Sequence, residues 1–136
     1  MAILIDTHIH IYDSYKTEIL FNAFRDNTIR AKANIGAMML VEREGIDYFS
    51  KLKSGEGTPA NSSIIESDST SFIIRTPSLP DIIVIAGKQI VCKEKVEILA
   101  YGTHVEIPDG TPIRETINRV IEAGGKPVIA WGVGKW

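Results

Sequence analysis

Two histidines and an aspartate near the start of the chain have the clearest chemical meaning. Asp6, His8 and His10 occupy alternate positions in the otherwise apolar run from Ile3 to His10. Because a β-strand repeats its side-chain direction every two residues, the spacing predicts that all three share one face and converge toward the interior of a sheet or barrel. Imidazoles and a carboxylate form a ligand set that divalent metals accept. The alternative is a strand whose polar face meets solvent.

Two weaker patterns accompany this row. Gly132, Gly134 and Lys135 follow the last apolar run, where backbone N–H groups and a lysine can cradle a phosphate; an ordinary tight turn fits them equally well. His104 and Glu106 are two positions apart and so share a strand face, where they could complete a site. Glutamate is mostly exposed in folded proteins, which favours a solvated strand end over a ligand pair.

Composition limits the classes of protein that need to be considered. The chain has 136 residues, of which 44% are hydrophobic and 24% charged, which is typical of one globular domain spanning 1–136. A net charge of -2 offers no basic surface for nucleic acid. The single cysteine, Cys92, excludes an internal disulfide, and the sequence shows neither a signal peptide nor a membrane-spanning run. We therefore expect a cytoplasmic protein.

The hydrophobic periodicity predicts an α/β chain with a β-rich middle. A helix that begins near Tyr15 separates the first strand from a strand at 37–41, and these form a βαβ unit. A second helix is expected at 46–52, and a third after Pro112, with Ile113, Ile117, Val120 and Ile121 as its buried stripe. The remaining predicted strands are 64–65, 71–75, 81–86, 89–92, 95–101 and 127–131.

The two continuous apolar runs, Ala37–Val41 and Val128–Trp131, read as strands that are buried on both faces. No helix follows the second run to cover it, so a lone chain would expose an apolar flank. The sequence thus predicts either a piece of a longer protein or a homo-oligomer in which one copy completes another.

Asp6-Thr7-His8-Ile9-His10 resembles the opening motif of the polymerase-and-histidinol-phosphatase (PHP) metallohydrolases. Segments 40–43, 86–91 and 130–136 resemble a poorly characterised branch of that family in the same order, so the resemblance spans nearly the whole chain. It implies a partial PHP-like (β/α) barrel with a β-rich middle region, incomplete relative to the full barrel. It also implies phosphoester hydrolysis by a cluster of divalent metals.

The chain departs from the family pattern at several metal-ligand positions. Glu42 and Arg43 stand where an Asp-His pair is usual, Gln89 stands where a glutamate is usual, and Glu97 stands where a histidine is usual. Glu42 and Glu97 remain candidate metal ligands, whereas Gln89 is a poor anionic ligand.

Two functional hypotheses follow. In the first, His8 and His10 bind a divalent metal (Zn, Mn or Fe), Asp6 orients or bridges, and metal-activated water attacks a small phosphorylated molecule. In the second, the chain is a catalytically degenerate PHP-like binding or assembly module without turnover. Neither hypothesis involves nucleic acid or a membrane.

Overall fold

A computed structural model describes residues 1–130, which form a mixed α/β structure with more sheet than helix. The elements are β1 (Ile3–Ile9), α1 (Thr17–Arg30), β2 (Ile35–Leu40), α2 (Tyr48–Lys53), β3 (Ser63–Ile65), β4 (Ser71–Arg75), β5 (Asp81–Ile85), β6 (Gly87–Val91), β7 (Glu97–Tyr101), α3 (Ile113–Glu122) and β8 (Lys126–Ile129). The predicted α/β class and its β-rich middle are confirmed at this level. Within these residues the strands form two sheets and do not close into a barrel.

The larger sheet has five strands in the order β1-β2-β5-β4-β3. β1, β2 and β5 run parallel, and β4 and β3 continue antiparallel. The continuous apolar run in β2 lies between two neighbouring strands, and Ala37, Met38 and Leu40 are buried. This confirms the prediction of a doubly flanked strand.

Helices α1 and α2 cover one face of the five-stranded sheet. Phe21 and Phe24 from α1 and Phe49 and Leu52 from α2 are at most 5% exposed and belong to one core cluster. Gly36 in β2 permits the close approach of α1, because a Cβ atom there would lie 2.4 Å from Phe24 Cε1. The strand residues of this cluster are Ile9, Met38, Leu40, Phe72, Ile74, Ile82 and Val84.

The smaller sheet has the order β6-β7-β8 and is antiparallel throughout. Only Ala86 separates β5 from β6, and a parallel bridge between Glu42 and Lys88 links the segment after β2 to β6. The chain therefore passes directly from one sheet to the other beside Lys88. The strands predicted at 89–92 and 95–101 are present as β6 and β7 and pair as a hairpin, and Lys95 adopts a left-handed φ of 62° in its turn.

Two burial predictions near the end of the described chain hold only in part: Val120 of the predicted α3 stripe is buried and Ile113 and Ile117 are half-buried, and β8 shows the exposed apolar flank predicted for a lone chain. In α3, Thr116 and Val120 are buried, while Ile121 is 57% exposed. In β8, Val128 and Ile129 are 44% and 53% exposed, and β7 is its only partner strand within residues 1–130. The strand lies at the edge of a sheet, so its apolar side chains are not enclosed as the uninterrupted run suggests. Among the helices of the described range, none is both long and apolar enough to cross a membrane.

Candidate functional site: the histidine pair and the Lys88 cluster

The first candidate site lies on β1, at the edge of the five-stranded sheet. β1 pairs with β2 as Asp6↔Met38 and then as Ile9↔Leu40, so β1 holds one extra residue between these pairs. Leu4 packs on the main core before this irregularity, and Ile9 belongs to the same core after it. The alternation of side chains therefore changes phase within the strand, as at a β-bulge.

This bulge corrects the prediction that three side chains share one face. Asp6 lies before the change of phase and His10 after it, so strand parity places them on opposite sides of the sheet. Asp6 and His8 are both exposed, rather than directed into an interior. The apolar side chains before them are not enclosed either, since Ile3 and Ile5 are 46% and 55% exposed on this edge strand.

The bulge nevertheless brings the two imidazoles together. His8 Nε2 lies 3.1 Å from His10 Nε2, with ring centroids 5.0 Å apart. A hydrogen bond at that distance needs one nitrogen with a hydrogen and one without, so at least one imidazole presents a lone pair. Tyr12 stacks on the His10 ring at 5.7 Å and restrains it from the other side.

Asp6 acts on the backbone of the pair rather than on its rings. Its Oδ1 accepts a hydrogen bond from His8 N at 3.1 Å, the local side-chain contact that aspartate makes in turns. No group of three or more His, Cys, Asp or Glu side chains within residues 1–130 is arranged to hold a metal ion. Asp6 thus supports the bulge, and the two histidines are the donors that the structure brings together.

Tyr101, a buried residue of the second sheet, supports the same bulge, a role that no sequence pattern indicated. Its phenol donates a hydrogen bond to the Thr7 carbonyl oxygen, although it is 94 residues away along the chain. Burial raises the pKa of the Tyr101 phenol. The phenol remains a donor at neutral pH and connects β7 to the histidine pair.

Glu42, a candidate metal ligand, is committed elsewhere. It is 4% exposed, and its Oε1 accepts hydrogen bonds from the N–H groups of Tyr48 and Phe49 at the start of α2. Its Oε2 lies 3.9 Å from Lys88 Nζ. Burial raises the pKa of Glu42, while the Phe49 N–H and the Lys88 charge oppose that rise.

Lys88 is the centre of a second polar cluster that no sequence pattern indicated. Its side chain is only 7% exposed, yet its Nζ lies 2.6 Å from Glu106 Oε1 and 3.4 Å from the Ile46 carbonyl oxygen. Glu106 is 63% exposed and reaches Lys88 from the solvent side. We call Lys88, Glu42 and Glu106 the Lys88 cluster.

The other predicted site residues are divided among different places. Glu97 is half-buried at the start of β7, opposite Val91. Gln89 is 6% exposed, and its Oε1 accepts no hydrogen bond from the described part of the chain. His104 lies near the Lys88 cluster, with its Nε2 2.7 Å from the Ser69 carbonyl oxygen, and so is not a bare solvated strand end. The proposed phosphate residues Gly132, Gly134 and Lys135 lie outside the described residues.

Comparisons with known proteins add no relative. No family model matches the chain, and neither does any curated protein or solved structure.

Proposed function

We propose that the chain is a PHP-type hydrolase that binds a divalent transition metal through His8 and His10 and acts on a small phosphoester. The observation that carries the proposal is the 3.1 Å separation of the two Nε2 atoms. The resemblance of the opening motif to PHP enzymes supplies the reaction class, and the geometry supplies the two donors.

The spacing of the nitrogens fits a shared metal ion. Metal–imidazole bonds of about 2.0–2.1 Å, meeting at angles between octahedral and tetrahedral, separate the two nitrogens by about 2.9–3.4 Å. The observed 3.1 Å lies inside that range. This agreement supports the coordination of one ion by both Nε2 atoms, with release of the hydrogen between them on binding.

The exposure of the pair suits a catalytic ion better than a closed structural one. Structural zinc sites enclose the ion with four protein ligands, whereas catalytic sites leave positions for water and substrate. A bound ion of this kind lowers the pKa of coordinated water and polarises a phosphoryl oxygen. In this chain Asp6 holds the His8 backbone, Tyr12 restrains the His10 ring and Tyr101 secures the bulge.

Metal uptake by matched variants tests the proposal. Metal-free protein is loaded with Zn²⁺, Mn²⁺ or Co²⁺, and bound metal is counted by elemental analysis together with the visible spectrum of the Co²⁺ form. We expect His8→Ala/His10→Ala to lose the metal and His104→Ala, which removes the third histidine of the chain, to retain it. We expect the wild type and His104→Ala to hydrolyse p-nitrophenyl phosphate and His8→Ala/His10→Ala to lose that activity. Equal uptake by the wild type and the double variant would contradict the site.

A second candidate function is a PHP-like binding or assembly module without turnover. It is favoured by the absence of a three-ligand group among residues 1–130 and by the engagement of Glu42 in the Lys88 cluster. Metal bound at His8 and His10 with no hydrolysis of any phosphoester would select this candidate over the hydrolase.

The partial PHP-like barrel and the homo-oligomer belong to the same proposal. The barrel is supported by the parallel run β1-β2-β5 and by the Glu42–Lys88 bridge, which carries parallel pairing on to β6. The oligomer is supported by the exposed apolar side chains of the two edge strands: Ile3, Ile5, Val128 and Ile129. Sedimentation at micromolar concentration tests it, and a monomer would contradict it.

A further inference from the structure

A polar cleft lies over the Lys88 cluster, away from the histidine pair. It has a volume of about 340 Å³, and its lining includes Lys88, Glu106, Asp47, Lys53 and His104. That volume accommodates a small metabolite.

The ammonium group of Lys88 is the unusual feature of this cleft. The side chain is 7% exposed, and burial of a lysine requires compensating partners. One partner, Glu42, is itself buried and holds two backbone N–H groups of α2, so it cannot move away. The other, Glu106, is 63% exposed and is joined to Lys88 by a single contact of 2.6 Å. Glu106 can therefore be exchanged for another carboxylate at little cost in packing.

The charges that face the cleft are balanced. Lys53 and Lys88 supply two cations, and Asp47 and Glu106 supply two carboxylates. Burial raises the pKa of Asp47, but hydrogen bonds from Ser50 and the charges of Lys88 and His104 outweigh it and hold the pKa below its usual value. Asp47 is thus ionised at neutral pH. A simple anion that displaced Glu106 from Lys88 would leave the Glu106 carboxylate without a cation. A simple cation that drew Glu106 away would leave Lys88 without its Glu106 partner.

We propose that the Lys88 cleft binds a small zwitterion of the amino-acid type. The ligand carboxylate replaces Glu106 on Lys88, and the ligand ammonium pairs with the released Glu106 and with Asp47. The Lys88–Glu106 ion pair is exchanged for three contacts to the ligand, so Lys88, Glu106 and Asp47 each have a partner of opposite charge. The site is independent of the histidine pair and of any hydrolase activity.

The His104 ring forms a fixed side of the cleft. It meets the Phe49 ring edge to face, with the ring centroids 4.9 Å apart. Its Nε2 lies 2.7 Å from the Ser69 carbonyl oxygen. Phe49 is only 1% exposed and belongs to the main core, so His104 rather than Phe49 meets a ligand.

The test is ligand binding by the full chain, using the proteinogenic amino acids as probes in saturation-transfer NMR and calorimetry. We expect saturable binding of at least one of them. Acetate, methylamine and inorganic phosphate, each with one kind of charge, should bind at least about ten-fold more weakly. Glu106→Gln, at an exposed position, should weaken the amino acid at least about ten-fold in a protein that still folds, because Lys88 keeps its ion pair with Glu42.

Glu122→Gln is the matched control, because Glu122 is an exposed glutamate on α3 that does not line the cleft. It should bind as the wild type does. Lys88→Met gives a stronger change but threatens folding, so Glu106→Gln decides the question. The proposal is overturned if no amino acid binds at about 10 mM. It is also overturned if Glu106→Gln leaves binding unchanged, or if phosphate or acetate alone binds as well as the best amino acid.

Discussion

The histidine pair and the Lys88 cluster are polar sites of opposite construction. His8 and His10 are two positions apart at the end of one edge strand, and His8 is exposed. Lys88, Glu42 and Glu106 come from three separate segments and meet where one sheet passes into the other, with Lys88 and Glu42 buried.

This difference in burial decides how much each site contributes to folding. Solvent screens an exposed pair, so removing it changes ligand binding far more than folding. A buried charged cluster is coupled to folding, because every charge that loses its partner keeps its desolvation cost. Five measurements test this contrast, beginning with the largest expected effect.

Lys88→Met should lower the free energy of unfolding by about 3–5 kcal/mol, since it leaves the Glu42 carboxylate buried without a cation. Urea denaturation at neutral pH measures the loss. The double variant Lys88→Met/Glu42→Gln should regain a large part of it, which isolates the charge from the packing. A loss below about 1 kcal/mol would mean that solvent reaches the cluster.

The pH dependence of the Lys88→Met variant sharpens the same point. The pKa of Glu42 is raised in the folded protein, mainly by burial. A raised carboxyl pKa favours folding below the unfolded value of 4.5, and this contribution is lost as the pH rises through the folded value. The deficit of Lys88→Met relative to wild type should therefore shrink as the pH falls from neutral toward 4.5.

Metal should stabilise the protein only through the histidine pair. At a free metal concentration about 100 times Kd, a ligand specific for the native state adds about 2.7 kcal/mol to the free energy of unfolding. Thermal melts with and without Co²⁺ should show this gain in the wild type and in His104→Ala. The gain should vanish in His8→Ala/His10→Ala, whose stability without metal stays within about 0.5 kcal/mol of wild type. A metal-free double variant that unfolds early would contradict the contrast between the two sites.

Gly87→Ala should cost about 1–3 kcal/mol by overpacking the junction beside Lys88. A Cβ atom at Gly87 would lie 2.3 Å from the Leu40 carbonyl oxygen and 2.9 Å from that of Ala100, and neither backbone atom can rotate away. Gly45→Ala is the comparison, because Gly45 has open space around it and only a left-handed φ of 77° to resist substitution. Gly45→Ala should lower the free energy of unfolding by about 1 kcal/mol. Urea denaturation of both variants checks the order, and a smaller loss for Gly87→Ala would reverse the expectation.

An exposed ion pair provides the smallest effect. Arg75 Nη2 lies 2.6 Å from Asp81 Oδ2, with side chains 56% and 22% exposed. Arg75→Met should cost less than about 1 kcal/mol, in contrast to Lys88→Met. The hydrogen bond from Arg75 lowers the pKa of Asp81, so its stabilisation is present above 3.8 and lost as the pH falls through the lower folded value. Melting temperatures of wild type and Asp81→Asn should therefore converge in acid, and a gap that widens there would contradict the assignment.

Much of the fold was predictable because local signals are strong in this chain. The apolar run of β2, the turn between β6 and β7 and the positions of the three helices follow from periodicity and turn residues. The division into two sheets was not predictable, because it depends on Ala86 being the only residue between β5 and β6. Periodicity describes which residues form a strand but not where the sheet ends.

The histidine pair shows the same limit at the level of a site. The sequence alone determined that two imidazoles stand two positions apart at the end of the first strand, and the bulge then brought their Nε2 atoms to 3.1 Å. The tertiary structure decided that Asp6 does not join them, because pairing with β2 leaves one extra residue in β1 and reverses the alternation between Asp6 and His10. It also decided that Lys88 meets Glu42 and Glu106, which are 46 and 18 residues away in a sequence that offers no periodic signal linking them. Strand register and contacts between distant segments depend on packing across the whole sheet, and no local pattern of residues contains that information.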